Sequence, residues 1–315
     1  MTLAVLRRGR EISRPRKRAS AGRRFGRLAV GPATLILVAL SVFPLLYALR
    51  LSFMSDNLLS AAPMRYVGIE NYIALIHDHL FINGLVVTAF FAAAMVTVQL
   101  GVGLALALAL HRLSRYQQLL ATVLLIPSIL SPSVVGFQWL QLFNYSGGLI
   151  NYFLRELHLP LQTWNASPRL ALPSLLIVDF WEWTPFMVLL LFAGLRSIPQ
   201  PIFEAARVDG SSGWQILRYH TVPLLRRTIG IVVILRLVAE FKIFDIIYVL
   251  TAGGPGSKTE SLAYYEYTQG FSYFNMGYTA AMCVISLIIV IVLVKLILGF
   301  TERPLVRLAA DTEAP

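Results

Sequence analysis

Long apolar stretches and short polar ones alternate along nearly the whole chain. Six of the apolar stretches, about 28–51, 82–110, 119–142, 172–195, 228–251 and 276–299, reach the roughly 20 residues that a helix needs to cross a hydrocarbon core. The pattern therefore predicts an all-α integral membrane protein with six transmembrane helices. One polar interruption is unusually rich: "EAARVDGSSGWQILRYHTVP", from Glu204 to Pro223, lies between the fourth and fifth stretches.

Composition supports the membrane reading. Of 315 residues, 57% are hydrophobic and 14% charged, more apolar than the core of a soluble domain requires. Cys283 is the single cysteine, which excludes an intrachain disulfide and a cysteine metal cluster. The net charge of +11 would suit nucleic acid, but ten Arg and Lys fall within residues 1–27, directly before an apolar run. Such an arm reads as a cytoplasmic anchor at anionic lipid heads, with no nucleic-acid partner. The run after it is too long for a signal-peptide core and no small-residue cleavage site follows, so an uncleaved span is expected.

Lys and Arg favour cytoplasmic loops. The N-terminal arm, 111–118, 196–227 and the tail 300–315 carry 19 of them, against 4 in 52–80, 143–171 and 252–275. Both termini and the 196–227 loop are accordingly expected in the cytoplasm, with 28–299 as the six-span transmembrane domain.

Ionisable residues inside a span are costly and are candidates for function. The fourth span, "LPSLLIVDFWEWTPFMVLLLFAGL", holds Asp179, Glu182 and Trp183; the fifth, "TIGIVVILRLVAEFKIFDIIYVLT", holds Arg236, Glu240, Lys242 and Asp245. Arg236 and Glu240 are four apart and share a helix face, as do Asp179 and Trp183. Acid, base and indole together offer hydrogen bonds and a stacking surface to a polyhydroxylated solute. Mutual pairing that only locks helices together is the other reading. Lys242 and Asp245 are expected nearer the outer interface, within reach of it by snorkelling. The third span carries Pro127 and Pro132 with Ser128, Ser131 and Ser133, which predicts a kink beside either a solute path or a packed helix.

"GGPGSKT" at 253–259 lacks phosphate-loop spacing and follows a membrane span, so it is expected to be a turn. No hydrolase or metalloprotease motif is present, and no catalytic or metal-binding residue is assigned. In the polar interruption, Pro199 and Pro201 suit a helix start, "IFEAARV" a short helix, Asp209–Ser212 a turn with a cap, and "GWQILRYHTVP" a second helix ended by Pro223. A docking knob and an amphipathic loop on the lipid surface both satisfy this pattern.

Glu204, Ala205, Ala206, Asp209, Gly210 and Pro223 resemble the EAA signature of permease subunits of bacterial binding-protein-dependent ABC importers. His220 and Val222 depart from its usual Ile-x-Leu-Pro ending. "YVLTAGGPGSKTESLAYYEYTQGFSYFNMGYTAAM", from Tyr248 to Met282, and "YVGIENY" at 66–72 resemble the carbohydrate-uptake class of that family. The resemblance implies a type I ABC importer permease fold in the bacterial inner membrane. It also implies a second homologous permease, two ATPase subunits that carry ATP and Mg, and an extracytoplasmic solute-binding protein. This chain would then bind no cofactor and hydrolyse no ATP, and would translocate a sugar or sugar alcohol. The EAA loop would couple it to the ATPase, and Ser128, Asp179, Glu182, Trp183, Phe186, Arg236 and Glu240 would line the solute path. An ion-coupled secondary transporter, with Glu240, Asp179 and Arg236 as a proton relay, and a non-transporting membrane scaffold are the alternatives.

Overall fold

A computed structural model describes residues 18–60, 63–113 and 115–312. Residues 1–17 of the basic arm lie outside the described residues. Two bodies are distinguished, Met1–Arg50 and Leu51–Pro315. The first consists of α1 (Arg18–Leu51), which continues through Pro32 and Pro44.

The second body is helical apart from a two-stranded antiparallel ribbon, β1 (Met54–Ser55) and β2 (Arg65–Tyr66). After α2 (Glu70–His77), the long α3 (His79–Arg112) is capped by Asp78, whose Oδ1 accepts from the N–H groups of Leu80 and Phe81 at 2.8 and 3.2 Å. At 1.5 Å per residue, α3 is about 50 Å long, more than the hydrocarbon thickness. Then come α4 (Gln117–Leu124), α5 (Ile126–Ile129), α6 (Pro132–Leu142), α7 (Leu149–Glu156) and α8 (Ala171–Arg196). The remaining elements are α9 (Gln200–Val208), α10 (Gly213–Gln215), α11 (Val222–Glu240), α12 (Asp245–Leu250), α13 (Leu262–Tyr267) and α14 (Met276–Thr312). Among the described residues, four helical segments are long and apolar enough to cross a membrane: Gly31–Leu51, His79–Arg112, Ala171–Arg196 and Met276–Thr301.

The other two apolar stretches are broken, not continuous helices. Pro127 and Pro132 each sit in the first turn of a new helix, so 119–142 is divided among α4, α5 and α6. Ser131 is extended at ψ 133, as the residue before a proline is pushed to be. In the fifth stretch, α11 stops at Glu240 and α12 begins at Asp245. The backbone between them has irregular polar groups that need partners at this depth. Ser261 Oγ supplies one, donating to the Ile243 carbonyl at 2.7 Å.

The core runs along α3 and α8. Ala107, Leu110, Met187, Leu191 and Leu195 form one end of it with Phe203 and Leu225, and Phe91, Met95, Leu175 and Val178 the other with Ile246 and Ile247. Gly103 lets the helices approach: a Cβ there would lie 3.4 Å from Met187 Cβ. The 252–261 segment is a turn, and Thr259 and Ser261 within it are fully buried. Thr259 Oγ1 donates to the Gly254 carbonyl at 2.7 Å, and Leu262 N donates to Thr88 Oγ1 at 2.9 Å, which ties this turn to α3.

A buried charge cluster and an exposed helical knob

The fourth and fifth stretches bring their charges together. Arg236 Nη2 lies 2.5 Å from Asp179 Oδ2 and also contacts Glu240 Oε1, one turn along its own helix. Arg236 is 2% exposed, Asp179 3% and Glu240 1%. The guanidinium also stands over the Trp183 ring, 5.0 Å from its centroid. Charges so far from water persist only with good partners, because desolvation costs several kcal/mol per ion.

Gln99 completes the cluster, and the sequence reading missed it. Its Oε1 accepts from Arg236 Nε at 2.7 Å, and its Nε2 donates to Asp179 Oδ2 at 2.8 Å and to the Asp179 carbonyl at 3.2 Å. The available signal was an amide in the middle of a 34-residue apolar helix, whose other amide, Asn83, lies near its start. Gln99 from α3, and Asp179 and Trp183 from α8, thus meet the Arg236 face of α11.

Glu182 is one helical turn from Asp179 and 1% exposed, yet neither carboxylate oxygen has a hydrogen-bond partner among the described residues. It lines a cavity of ≈ 80 Å³ together with Asp179, Trp183, Arg236 and Glu240. Lys242, in the break between α11 and α12, and Asp245, at the start of α12, line the same cavity while both remain exposed, as snorkelling toward the outer interface requires. Asp245 Oδ1 also accepts from Ser133 Oγ at 3.0 Å. Ser128 and Phe186 stand outside the cavity wall. Ser128 Oγ donates to the Glu182 carbonyl, and Phe186 meets Trp183 edge-on at 6.1 Å. The cavity is far below the roughly 300 Å³ of an ordinary small-molecule pocket, and its charges face one another.

The second site is the 200–221 segment. Pro199 is the N-cap of α9 and Pro201 lies in its first turn. Ala206 packs inward at 3% exposure, whereas Glu204, Ala205 and Asp209 face out. Gly210 has φ +78, and a side chain there would meet open space. Glycine is therefore required by the backbone conformation and not by crowding. Ser212 and Gln215 form a capping box, with Ser212 N donating to Gln215 Oε1 at 2.7 Å and Gln215 N to Ser212 Oγ at 3.4 Å.

Pro223 does not end the second helix, as the sequence pattern had suggested. The helical run continues from α10 through a π-helical turn, Ile216–Thr221, into α11. Val222 N bonds to the Leu217 carbonyl, and Thr221 Oγ1 donates to the Ile216 carbonyl at 3.2 Å. Widening the turn ahead of the proline gives room for a ring that an α-helical carbonyl would obstruct.

Residues 99–306 match the family model described as binding-protein-dependent transport system inner membrane component. The chain belongs to that family. It is accordingly a multi-pass inner-membrane permease, not itself the catalytic subunit. It is 33% identical over 255 residues to the trehalose/maltose transport system permease protein MalF of Thermococcus litoralis, covering 81% of this chain and 84% of that one. It is also 34% identical over 265 residues to the trehalose transport system permease protein SugA of Mycobacterium tuberculosis, covering 84% of each. The sn-glycerol-3-phosphate transport system permease protein UgpA of Agrobacterium fabrum is 33% identical over 282 residues, 88% of this chain and 94% of its own. Among solved structures, a chain of a bacterial ABC transporter involved in import of the acidic polysaccharide alginate superposes with a TM-score of 0.79 at 19% identity. The match covers 90% of this chain and 98% of that one, and establishes the fold.

Proposed function

We propose that this permease passes a neutral sugar or sugar alcohol, received from an external solute-binding protein, through a six-span path with both termini and the 196–227 loop in the cytoplasm. The observation that carries the substrate class is the extended identity to trehalose and maltose permeases. The buried charges add a direction: Asp179, Glu182 and Glu240 face one another around a single buried guanidinium, which disfavours an anionic solute.

The basic arm 1–27, the permease domain 28–299 and the tail 300–315 remain the working division. The chain would pair with a second permease and two ATPase subunits. ATP-driven closure of the ATPases would carry the knob containing Glu204, Ala205, Ala206, Asp209, Gly210 and Pro223. The motion would separate α3, α8 and α11, freeing Asp179, Glu182, Trp183, Arg236 and Glu240 to exchange internal hydrogen bonds for solute hydroxyls. Ser128 and Phe186 would hold Glu182 and Trp183 from behind.

Reconstituting the chain with its partner permease, ATPases and binding protein tests this reading. ATP-dependent uptake of a labelled disaccharide or polyol is expected. Uptake that proceeds without ATPase subunits, or follows a proton gradient, would instead select the secondary-transporter reading.

A further inference from the structure

The cavity behind the helical knob is lined by charge of one sign. It measures ≈ 430 Å³ and opens among the ends of α3 and α8, α9 and the π-helical turn. His111, Arg112 and Arg207 line it, and no Asp or Glu does. Neither arginine makes an ion pair among the described residues. Leu108, Leu195 and Phe203 give it apolar walls. The His111 ring packs between Phe192 and Phe203, at centroid distances of 6.5 and 6.4 Å, so the helix end that carries Arg112 adjoins the apolar wall.

Two exposed guanidinium groups beside an apolar wall suit a ligand with an anionic head and a hydrocarbon tail. A guanidinium matches phosphate oxygens as a planar fork, and the cytoplasmic membrane face presents anionic phosphate headgroups. We propose that this cavity seats the phosphate of an anionic phospholipid, with Arg112 and Arg207 on the phosphate and the half-buried Leu108 and Leu217 along the start of an acyl chain. Arg112 is in the last turn of α3 and Arg207 in the last turn of α9. One headgroup bound to both would link the membrane bundle to the knob, so lipid charge would set how firmly the knob is held. The inference rests on the cytoplasmic placement of 196–227.

The test uses the assembled transporter in nanodiscs of phosphatidylcholine mixed with phosphatidylglycerol, reading retained lipid by native mass spectrometry. The parent complex is expected to retain phosphatidylglycerol preferentially. Arg112→Gln with Arg207→Gln should lower that retention about tenfold, equivalent to roughly 1.4 kcal/mol, while Arg169→Gln in the outer loop leaves it unchanged. Equal retention by the double variant and the parent would overturn the proposal. Should the double variant not assemble, Arg112→Lys keeps the charge but loses the fork: partial loss of preference supports the site, and none overturns it. Displacement of the lipid by millimolar inorganic phosphate would also overturn it, assigning the cavity to a free anion. Orientation is read separately by impermeant maleimide on intact cells carrying Ser211→Cys in a Cys283→Ser background. Labelling from outside would refute the topology without altering the lipid-retention result.

Discussion

The charge cluster and the helical knob break the ordinary rule of burial in opposite directions. Around Arg236, charged groups are buried to within 3% of complete exclusion from solvent. On and beside the knob, Val208 is 88% exposed, Trp214 67% and Tyr219 65%. Buried polar groups and exposed large apolar groups are the informative departures, since scattered surface apolar atoms are normal. In the cluster, Arg236, Asp179 and Gln99 pair among their own helices and the Glu182 carboxylate is left without a hydrogen-bond partner among the described residues, whereas the knob turns its large apolar side chains outward. Under the proposed function, the first would open to admit solute and the second would be covered by a partner.

The sharpest break in this comparison is Arg236→Met. It would leave Asp179 and Glu240 buried without their cation, a change that costs about 3–5 kcal/mol. Thermal denaturation of the purified complex should show a large loss of stability, or assembly should fail; an unchanged midpoint would mean that water reaches the cluster freely. Gly210→Val acts on the other region. Valine is strained at φ +78, so insertion should persist while ATP-dependent uptake falls to background. Normal uptake by that variant would remove the coupling role from the knob.

A smaller effect is expected from Gln99→Leu, which orphans the Arg236 Nε donor, removes the amide's bonds to Asp179 and should destabilise by about 1–3 kcal/mol. Solute affinity should change with it if the network opens to solute, and stability alone if it does not. Ser212→Ala removes the capping box of the knob and should cost roughly 1 kcal/mol, visible as faster backbone hydrogen exchange across 213–217.

The smallest effect concerns pH and lies away from both regions. Burial raises the Asp78 carboxyl pKa, but hydrogen bonds from Tyr265, Tyr278 and the Phe81 and Leu80 N–H groups outweigh it and hold the group below its ordinary value. Its stabilisation is therefore full above the unfolded carboxylate pKa of about 3.9 and is lost as pH falls through the lower folded value. Tyr265→Phe with Tyr278→Phe should lower thermal stability at neutral pH, and the gap from the parent should narrow below pH ~4. A gap independent of pH would show that the two hydroxyls act only through packing.

Much of this was legible from sequence because bilayer physics is one-dimensional. About 20 apolar residues, a count of Arg and Lys, and ionisable residues at helical spacing are all readable along the chain. Asp179, Arg236 and Glu240 could be placed on helix faces from their spacing alone, and Gly210 in a turn from its neighbours. Gln99 could not be assigned, because its role depends on α3 lying against α8 and α11. The same limit applies to the break between α11 and α12, which no proline marks.

By itself, the sequence determined that this is a helical membrane protein, which residues are too polar for their surroundings, and where the knob begins and turns. Only the tertiary structure decided which polar residues meet, that two apolar stretches are broken, and that the helix runs on past Pro223 through a π turn. The physical reason is the reach of the forces involved. Helix formation and membrane partition act on neighbours along the chain, whereas pairing a buried charge requires a partner that only packing can bring, in this case from 57 and 137 residues away.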